Sequence, residues 1–343
     1  MPNPIITEAI DQIANHRDLT RTQSAAVLDG IMGGRAEEPE VAAFLMGLRV
    51  KGETVHEVAG LAQTMRALST TVAPERRDLV DTAGTGGGRS SFNISTTAAL
   101  IAAGVGCGVA KHGNRSATSK SGSADVLEAL GANIDLSADQ VAACIDQVGF
   151  GFMFAPAHHA ATKYVVPIRK ALGVRTVFNV LGPLTNPAGA GRQLVGVVDP
   201  SLIDLVAGAL AELGPEHALV VSSADGLDEI SVSAATHVAE VRAGEIDRYE
   251  LLPEDIGVDR ADDGAVPIGG TPEENAAVTR AVLGGEQGAH ADVSVLNAAA
   301  AIYVAGHAES ISAGVEAART AISSGAAAGA LDRYIELSHG LAA

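Results

Sequence analysis

DLVDTAGTGGGRSSFNIST, residues 78–96, opens as a short apolar run, breaks into a turn holding Gly84, Gly86, Gly87 and Gly88, and resumes as a helix near Ser95. Strand, glycine turn and helix in that order make the first half of a βαβ unit. The same alternation recurs downstream, with strands expected near 78–83, 107–111, 150–154, 193–198 and 217–222 and helices between them. The fold class is therefore α/β, a largely parallel sheet flanked by helices.

Upstream the pattern differs. Residues 5–70 repeat apolar positions at helical spacing, with Thr20 and Thr54 placed as N-caps and Gly33, Gly34 and Gly52 as breaks, so four short helices are expected. This gives a smaller all-helical domain over 1–72. The α/β domain takes 73–164 and 191–343. Between its two parts, Tyr164-Val165-Val166-Pro167 and Gly182-Pro183-Leu184-Thr185-Asn186-Pro187 punctuate helical stretches without a strand. That excursion, near 165–190, is expected to leave the sheet and pack on the N-terminal helices. A hairpin near 236–250 and Ala-rich helix from Thr271 complete the chain.

Composition narrows the chemistry. Of 343 residues 47% are hydrophobic but only 3% aromatic, with no Trp, so the core must be filled by Ala, Val, Leu and Ile. Forty-one acidic against 23 basic residues give a formal charge of −18, which argues against a nucleic-acid partner. An anionic substrate would have to be held locally, by backbone amides, a few cations and a metal ion. Cys107 and Cys144 lack metal-ligand spacing and are read as buried thiols. The N-terminus has no signal-peptide pattern and no apolar stretch reaches the length of a membrane span, so the expectation is a soluble, cytoplasmic protein with no membrane partner.

Three segments carry chemistry. Glycines let backbone approach an anion closely, and a helix N-terminus directs unpaired N–H groups at it, so 84–96 reads as a phosphate or pyrophosphate cradle. Alone, such a turn is more often an ordinary βα connection; Asn93, Ser95 and Thr96 at the helix start strengthen the phosphate reading, although Ser and Thr there are also plain N-caps. KHGNRSATSKSGS, residues 111–123, gathers three cations and six hydroxyl or amide side chains after the second strand. Open α/β sheets bind ligands at the carboxyl ends of their strands, so both loops should face one crevice. Within it Ser123 could simply cap a helix over 124–130. Asp225-Gly226-Leu227-Asp228-Glu229 follows the 217–222 strand at the same sheet edge, where a carboxylate pair beside a polyphosphate would hold Mg²⁺.

Taken together, GTGG with FNIST, KHGNRSATSKSGSADVLEALG, FMFAPAHHAATKYVVPIRKALGVRTVFNVLGPLTNP, GLDE and GGTPEENA resemble the anthranilate phosphoribosyltransferase family, in its order and over nearly the whole chain. The resemblance implies the two-domain architecture shared with nucleoside phosphorylases, a homodimer formed through the helical domain, and Mg²⁺-dependent transfer of ribose-5-phosphate from phosphoribosyl pyrophosphate (PRPP) to anthranilate in tryptophan biosynthesis. It implies that Gly84, Gly87, Ser91, Asn93, Ile94, Ser95, Thr96, Lys111, His112, Gly113, Asn114, Arg115, Ser116, Ala117, Thr118, Ser119 and Ser123 bind PRPP. Ser95, Asp228 and Glu229 would serve Mg²⁺. Gly84, Asn114 and Arg169 would meet anthranilate, with His112 and His159 lining its entry and His158 a bystander. By sequence alone the better reading of Arg169 is a surface helix residue in an ion pair, and only the family match reverses it.

No catalytic Ser/His/Asp apparatus is visible, and none is required, because an aromatic amine is already a nucleophile. In one place the chain departs from the family pattern. Gly88 stands where an acidic residue usually follows GTGG, and nine steps rather than ten separate Gly84 from Asn93, leaving Arg89 as a candidate cation near pyrophosphate. The alternative readings are a pyrimidine nucleoside phosphorylase-like enzyme and a non-catalytic PRPP-binding paralogue.

Overall fold

A computed structural model describes residues 2–116, 119–266 and 268–342. Four helices come first: α1 (Pro4–Ala14), α2 (Arg21–Met32), α3 (Glu38–Lys51) and α4 (Val55–Ala67). Thr20 and Thr54 each accept from the backbone N–H three residues on, while Gln23 and Glu57 reach back to the cap amides, so both are capping boxes. Glu57 also receives the Leu19 amide and the Lys51 ammonium, which ties α4 to the preceding turns.

The chain then alternates through β1 (Leu79–Gly84), α5 (Ile94–Val105), β2 (Gly108–Gly113), α6 (Ser123–Ala129), α7 (Ala138–Val148) and β3 (Phe150–Phe154). The excursion holds short α8 (Ala155–His158), α9 (Val166–Leu172) and α10 (Phe178–Leu181) with 3₁₀ turns. β4 (Arg192–Gly196), α11 (Ile203–Leu213) and β5 (His217–Ser223) resume the sheet, and β6 (Thr236–Arg242) with β7 (Glu245–Leu251) forms the hairpin. Helices α12 (Pro272–Leu283), α13 (Ala289–Val304), α14 (Ile311–Ser323) and α15 (Ala326–Ala342) close the chain.

The sheet runs β3-β2-β1-β4-β5-β6-β7, parallel up to β5 and antiparallel beyond it. The first three strands build outward in one direction and the next four in the other, so the order reverses between β1 and β4. In open α/β sheets that switch point is where a crevice forms beyond the strands' carboxyl ends. Gly84 and Gly196 stand opposite each other there.

Strand alternation feeds two cores. Leu219 and Val221 of β5 join α5, α7 and α12–α15, whereas Ala218 and Val220 join α11, α1–α4 and the excursion. The N-terminal helices are thus packed onto one sheet face through α11 and α4. Helices α9 and α10 pack on α3 and α4, so the excursion leaves the sheet for the helical body. Close helix approach replaces aromatic bulk: at Gly104 of α5 and Gly314 of α14, even a Cβ would meet the backbone of Ala327 and Ala299.

Candidate active site

The glycine turn leaves β1 at the switch point and wraps around the Asp228 carboxylate. Gly86 donates its N–H to Asp228 Oδ2 at 3.1 Å, and Thr85 donates to the Gly196 carbonyl at 2.9 Å. A Cβ on Gly84 would lie 2.8 Å from Asp228 Oδ2, and one on Gly88 3.1 Å from Asp228 Oδ1 and 2.9 Å from the Gly226 carbonyl. A side chain at position 88 of this nine-step turn would therefore start against Asp228 and the Gly226 carbonyl. Gly86 and Gly87 adopt φ of +62° and +88°, a region that favours glycine. Arg89 corrects the sequence reading: it lies over Asp225, at 3.6 Å, and donates to the Val266 carbonyl, so it is spent within the α/β body.

Beyond the turn α5 begins at Ile94, whose amide donates to the Phe92 carbonyl at 2.8 Å, followed by Ser95, whose amide serves Glu229, and Thr96. Ile94 and Thr96 are buried side chains, so only their backbone can reach a ligand, and Thr96 Oγ1 has no partner among the described residues. Neither Ser95 nor Thr96 is the N-cap, which is Asn93. The Asn93 side chain is committed elsewhere: it accepts from Ser121 Oγ and Asn275 Nδ2 and donates to the Ser121 carbonyl. Asn275 in turn accepts the Gly270 amide, which explains the GGTPEENA segment as a clasp across the turn. Among the described residues the Ser91 hydroxyl bonds only the Phe92 carbonyl.

Lys111 is the buried cation of the site. Its ammonium donates to the Thr82 carbonyl at 2.6 Å, to Thr82 Oγ1 at 3.2 Å and to Ser95 Oγ at 3.4 Å. Burial lowers its pKa, against the attraction of Asp81 and Glu229. Glu229 is pushed up to about 8 by burial and by Asp228, with Lys111 and the Ser95 amide opposing. Burial also raises Asp228, against the Gly86 amide and Arg175. A cation beside the two carboxyls would offset their mutual repulsion and favour their ionised forms. Among the described residues no set of three His, Cys, Asp or Glu side chains could cage a metal alone. Asp228, Glu229 and Ser95 Oγ are hard oxygen donors, and such a partial set suits Mg²⁺ completed by phosphate oxygens and water.

The 111–123 loop is organised by Asp125, which accepts the Ser116 and Gly122 amides and an Arg115 Nη1–H. Arg115 pairs with Glu128 as well and lies on the Phe154 ring, so its guanidinium is neutralised within the loop. Ser116 and Ser119 share a 2.7 Å hydroxyl contact. Asn114 accepts the Arg115 amide, and Ser123 donates to the Asn114 carbonyl, so Ser123 is the first helical residue rather than a cap. A Cβ on Gly113 would overlap Ser123 Oγ. Ala117 and Thr118 lie outside the described residues.

His112 and His159 face each other with ring centroids 5.1 Å apart, and both Nε2 atoms are buried without a partner among the described residues. Burial holds them neutral, at about 3 and about 4. His158 instead bonds the Thr70 carbonyl. Arg169 makes no ion pair among the described residues; it lies on the Phe178 ring and touches Asn179 Oδ1 at 3.5 Å, inside the excursion.

Three positions escaped the sequence reading. Asp81 is fully buried behind the site, and Asn186 Nδ2 donates to it. Arg175 reaches from the excursion to the glycine turn. Asn186 and Arg175 both stood inside a quoted motif, but nothing local to either names a partner about a hundred residues away.

Two family models match the chain, a glycosyl transferase family helical bundle domain over residues 7–69 and a glycosyl transferase family α/β domain over residues 76–328. The chain is 51% identical over 333 residues to an anthranilate phosphoribosyltransferase of Symbiobacterium thermophilum, covering 97% of each. It is 51% identical over 342 residues to that of Rubrobacter xylanophilus, covering 98% of this chain and 99% of the relative. Among solved structures, anthranilate phosphoribosyltransferase from Thermus thermophilus superposes with a TM-score of 0.91 at 42% identity, over 96% of this chain and 99% of that one. The Saccharomyces cerevisiae enzyme in complex with PRPP and Mg superposes with a TM-score of 0.89 at 27% identity, over 98% of each.

Proposed function

The chain belongs to the anthranilate phosphoribosyltransferase family, and from that premise we infer that it joins the amine of anthranilate to C1 of PRPP and releases pyrophosphate. In this reaction the N–C1 bond forms as the C1–O bond to pyrophosphate breaks, and the nitrogen then gives up a proton. What the protein must supply is alignment and charge neutralisation. The observation that carries the reading is the meeting, at the β1/β4 switch point, of the glycine turn, the α5 N-terminus, buried Lys111 and the Asp228–Glu229 pair.

In this reading the turn and α5 amides receive the phosphates, with Lys111 behind them. Asp228, Glu229 and Ser95 would hold Mg²⁺, which when bound neutralises the departing pyrophosphate. The uncharged ring pair His112 and His159 suits an aromatic entry path, because a neutral imidazole wall does not capture the substrate's carboxylate. Arg169, unpaired with any described carboxylate, and Asn114 would meet anthranilate. A homodimer through the helical part is supported by Ile5, Val50, Leu68, Tyr164, Val166 and Val174, the exposed large hydrophobics of that part and its excursion. No helix among the described residues is long and apolar enough to cross a membrane. The buried, unpaired Cys107 and Cys144 agree with the cytoplasmic placement.

The test mixes protein, Mg²⁺, PRPP and anthranilate and follows anthranilate fluorescence. Loss of fluorescence that requires all four supports the assignment. No loss, with thymidine or uridine phosphorolysis in its place, overturns it in favour of a phosphorylase.

A further inference from the structure

Arg175 follows α9 and belongs to the excursion, yet its guanidinium lies on the glycine turn of the α/β body. Nη1 donates to the Gly86 carbonyl at 2.7 Å and Nη2 to the Thr85 carbonyl at 3.2 Å. Its own carbonyl accepts Arg49 Nη1 of α3 at 2.8 Å, which fixes the base of the side chain to the helical body. A Cβ on Gly87 would overlap Arg175 Nη1. Among the described residues the turn's other backbone ties, Thr85 to Gly196, Gly86 to Asp228 and Arg89 to Gly226, come from the α/β side.

We propose that Arg175 is a positioning residue that sets the glycine turn for PRPP from the opposite wall of the crevice; this rests on the reaction inferred above. Carbonyl oxygens facing a phosphate would repel it, and two consecutive ones are here drawn onto a cation. Within a trans peptide C=O and N–H point in opposite directions, so binding the Gly86 carbonyl turns the Gly87 N–H the other way. With φ positive at both Gly86 and Gly87, the turn has wide conformational freedom to lose when PRPP binds. A restraint already present lowers that loss. The same contact joins the helical body to the pyrophosphate site, so movement of the excursion moves the turn.

The experiment compares wild type, Arg175→Ala and Arg175→Lys. Steady-state kinetics give KM for each substrate, and hydrogen–deuterium exchange of residues 84–92 is followed without substrates. Arg175→Ala is expected to raise KM for PRPP about tenfold, leave KM for anthranilate within about twofold and speed exchange in the turn several-fold, with Lys recovering part of each. Unchanged exchange, or an equal rise in both KM values with a matching fall in Tm, would overturn the proposal. Wild-type protein that consumes no anthranilate would strike the reaction assigned above, leaving exchange to decide Arg175.

Discussion

Asn186 Nδ2 donates to Asp81 Oδ2 at 2.7 Å across a fully buried contact, fastening the returning end of the excursion to the central strand beneath the glycine turn. Asn186 also donates to the Ala110 carbonyl, and Asp81 Oδ1 accepts the His112 amide, so one pair of side chains sets the spacing of β1, β2 and the excursion. Asn186→Ala would leave a buried carboxyl short of a donor. A destabilisation of about 2–4 kcal/mol is expected, read as a lower urea midpoint with unchanged m.

His112 makes stability pH-dependent. Burial holds its folded pKa at about 3, against 6.5 for the ordinary side chain. Below 6.5 the unfolded chain takes up a proton that the folded imidazole refuses, so this contribution is complete above 6.5 and is lost as pH falls toward 3. His112→Gln should flatten the stability profile across that window by up to about 1.4 kcal/mol per pH unit. Urea midpoints at a series of pH values check this, and parallel profiles would exclude it.

Arg169→Ala should raise KM for anthranilate roughly tenfold to a hundredfold and leave that for PRPP nearly unchanged, since a charge-assisted contact to a carboxylate is worth about 1.5–3 kcal/mol. Equal KM values in both proteins would make Arg169 a packing residue on Phe178.

Gly88 separates sterics from charge. Gly88→Ala is expected to lower kcat/KM for PRPP a few-fold, because its Cβ would press on the Gly226 carbonyl. Gly88→Asp should lose roughly tenfold more, since two carboxylates about 4 Å apart repel by about 4 kcal/mol at an effective dielectric near 20 before screening. Raising Mg²⁺ should recover the Asp variant and not the Ala variant. Identical Mg²⁺ titrations would remove the electrostatic part.

Much of the candidate site's makeup is legible in the sequence because its signals are local. A glycine run between strand and helix suggests an anion turn, Lys111 lies near the end of the second strand, within β2, and the Asp228–Glu229 pair follows β5. Roles that depend on distant partners were not legible. Arg115 reads as a phosphate cation until Asp125 and Glu128 are found around it, and Arg89 until Asp225 is. Asn93 sits in the binding motif, yet its side chain holds Ser121 and Asn275.

By itself the sequence determined the α/β alternation, the N-terminal helices, the excursion and the motifs that the family resemblance rests on, because periodicity, capping and turn chemistry act over a few neighbouring residues. Only the tertiary structure decided where each side chain is spent. Asp228 fills the turn formed 142 residues earlier, and Arg175 holds that turn from 89 residues away. Contacts at such separation follow from strand order and helix packing, which bring together groups whose own sequence surroundings are silent about each other.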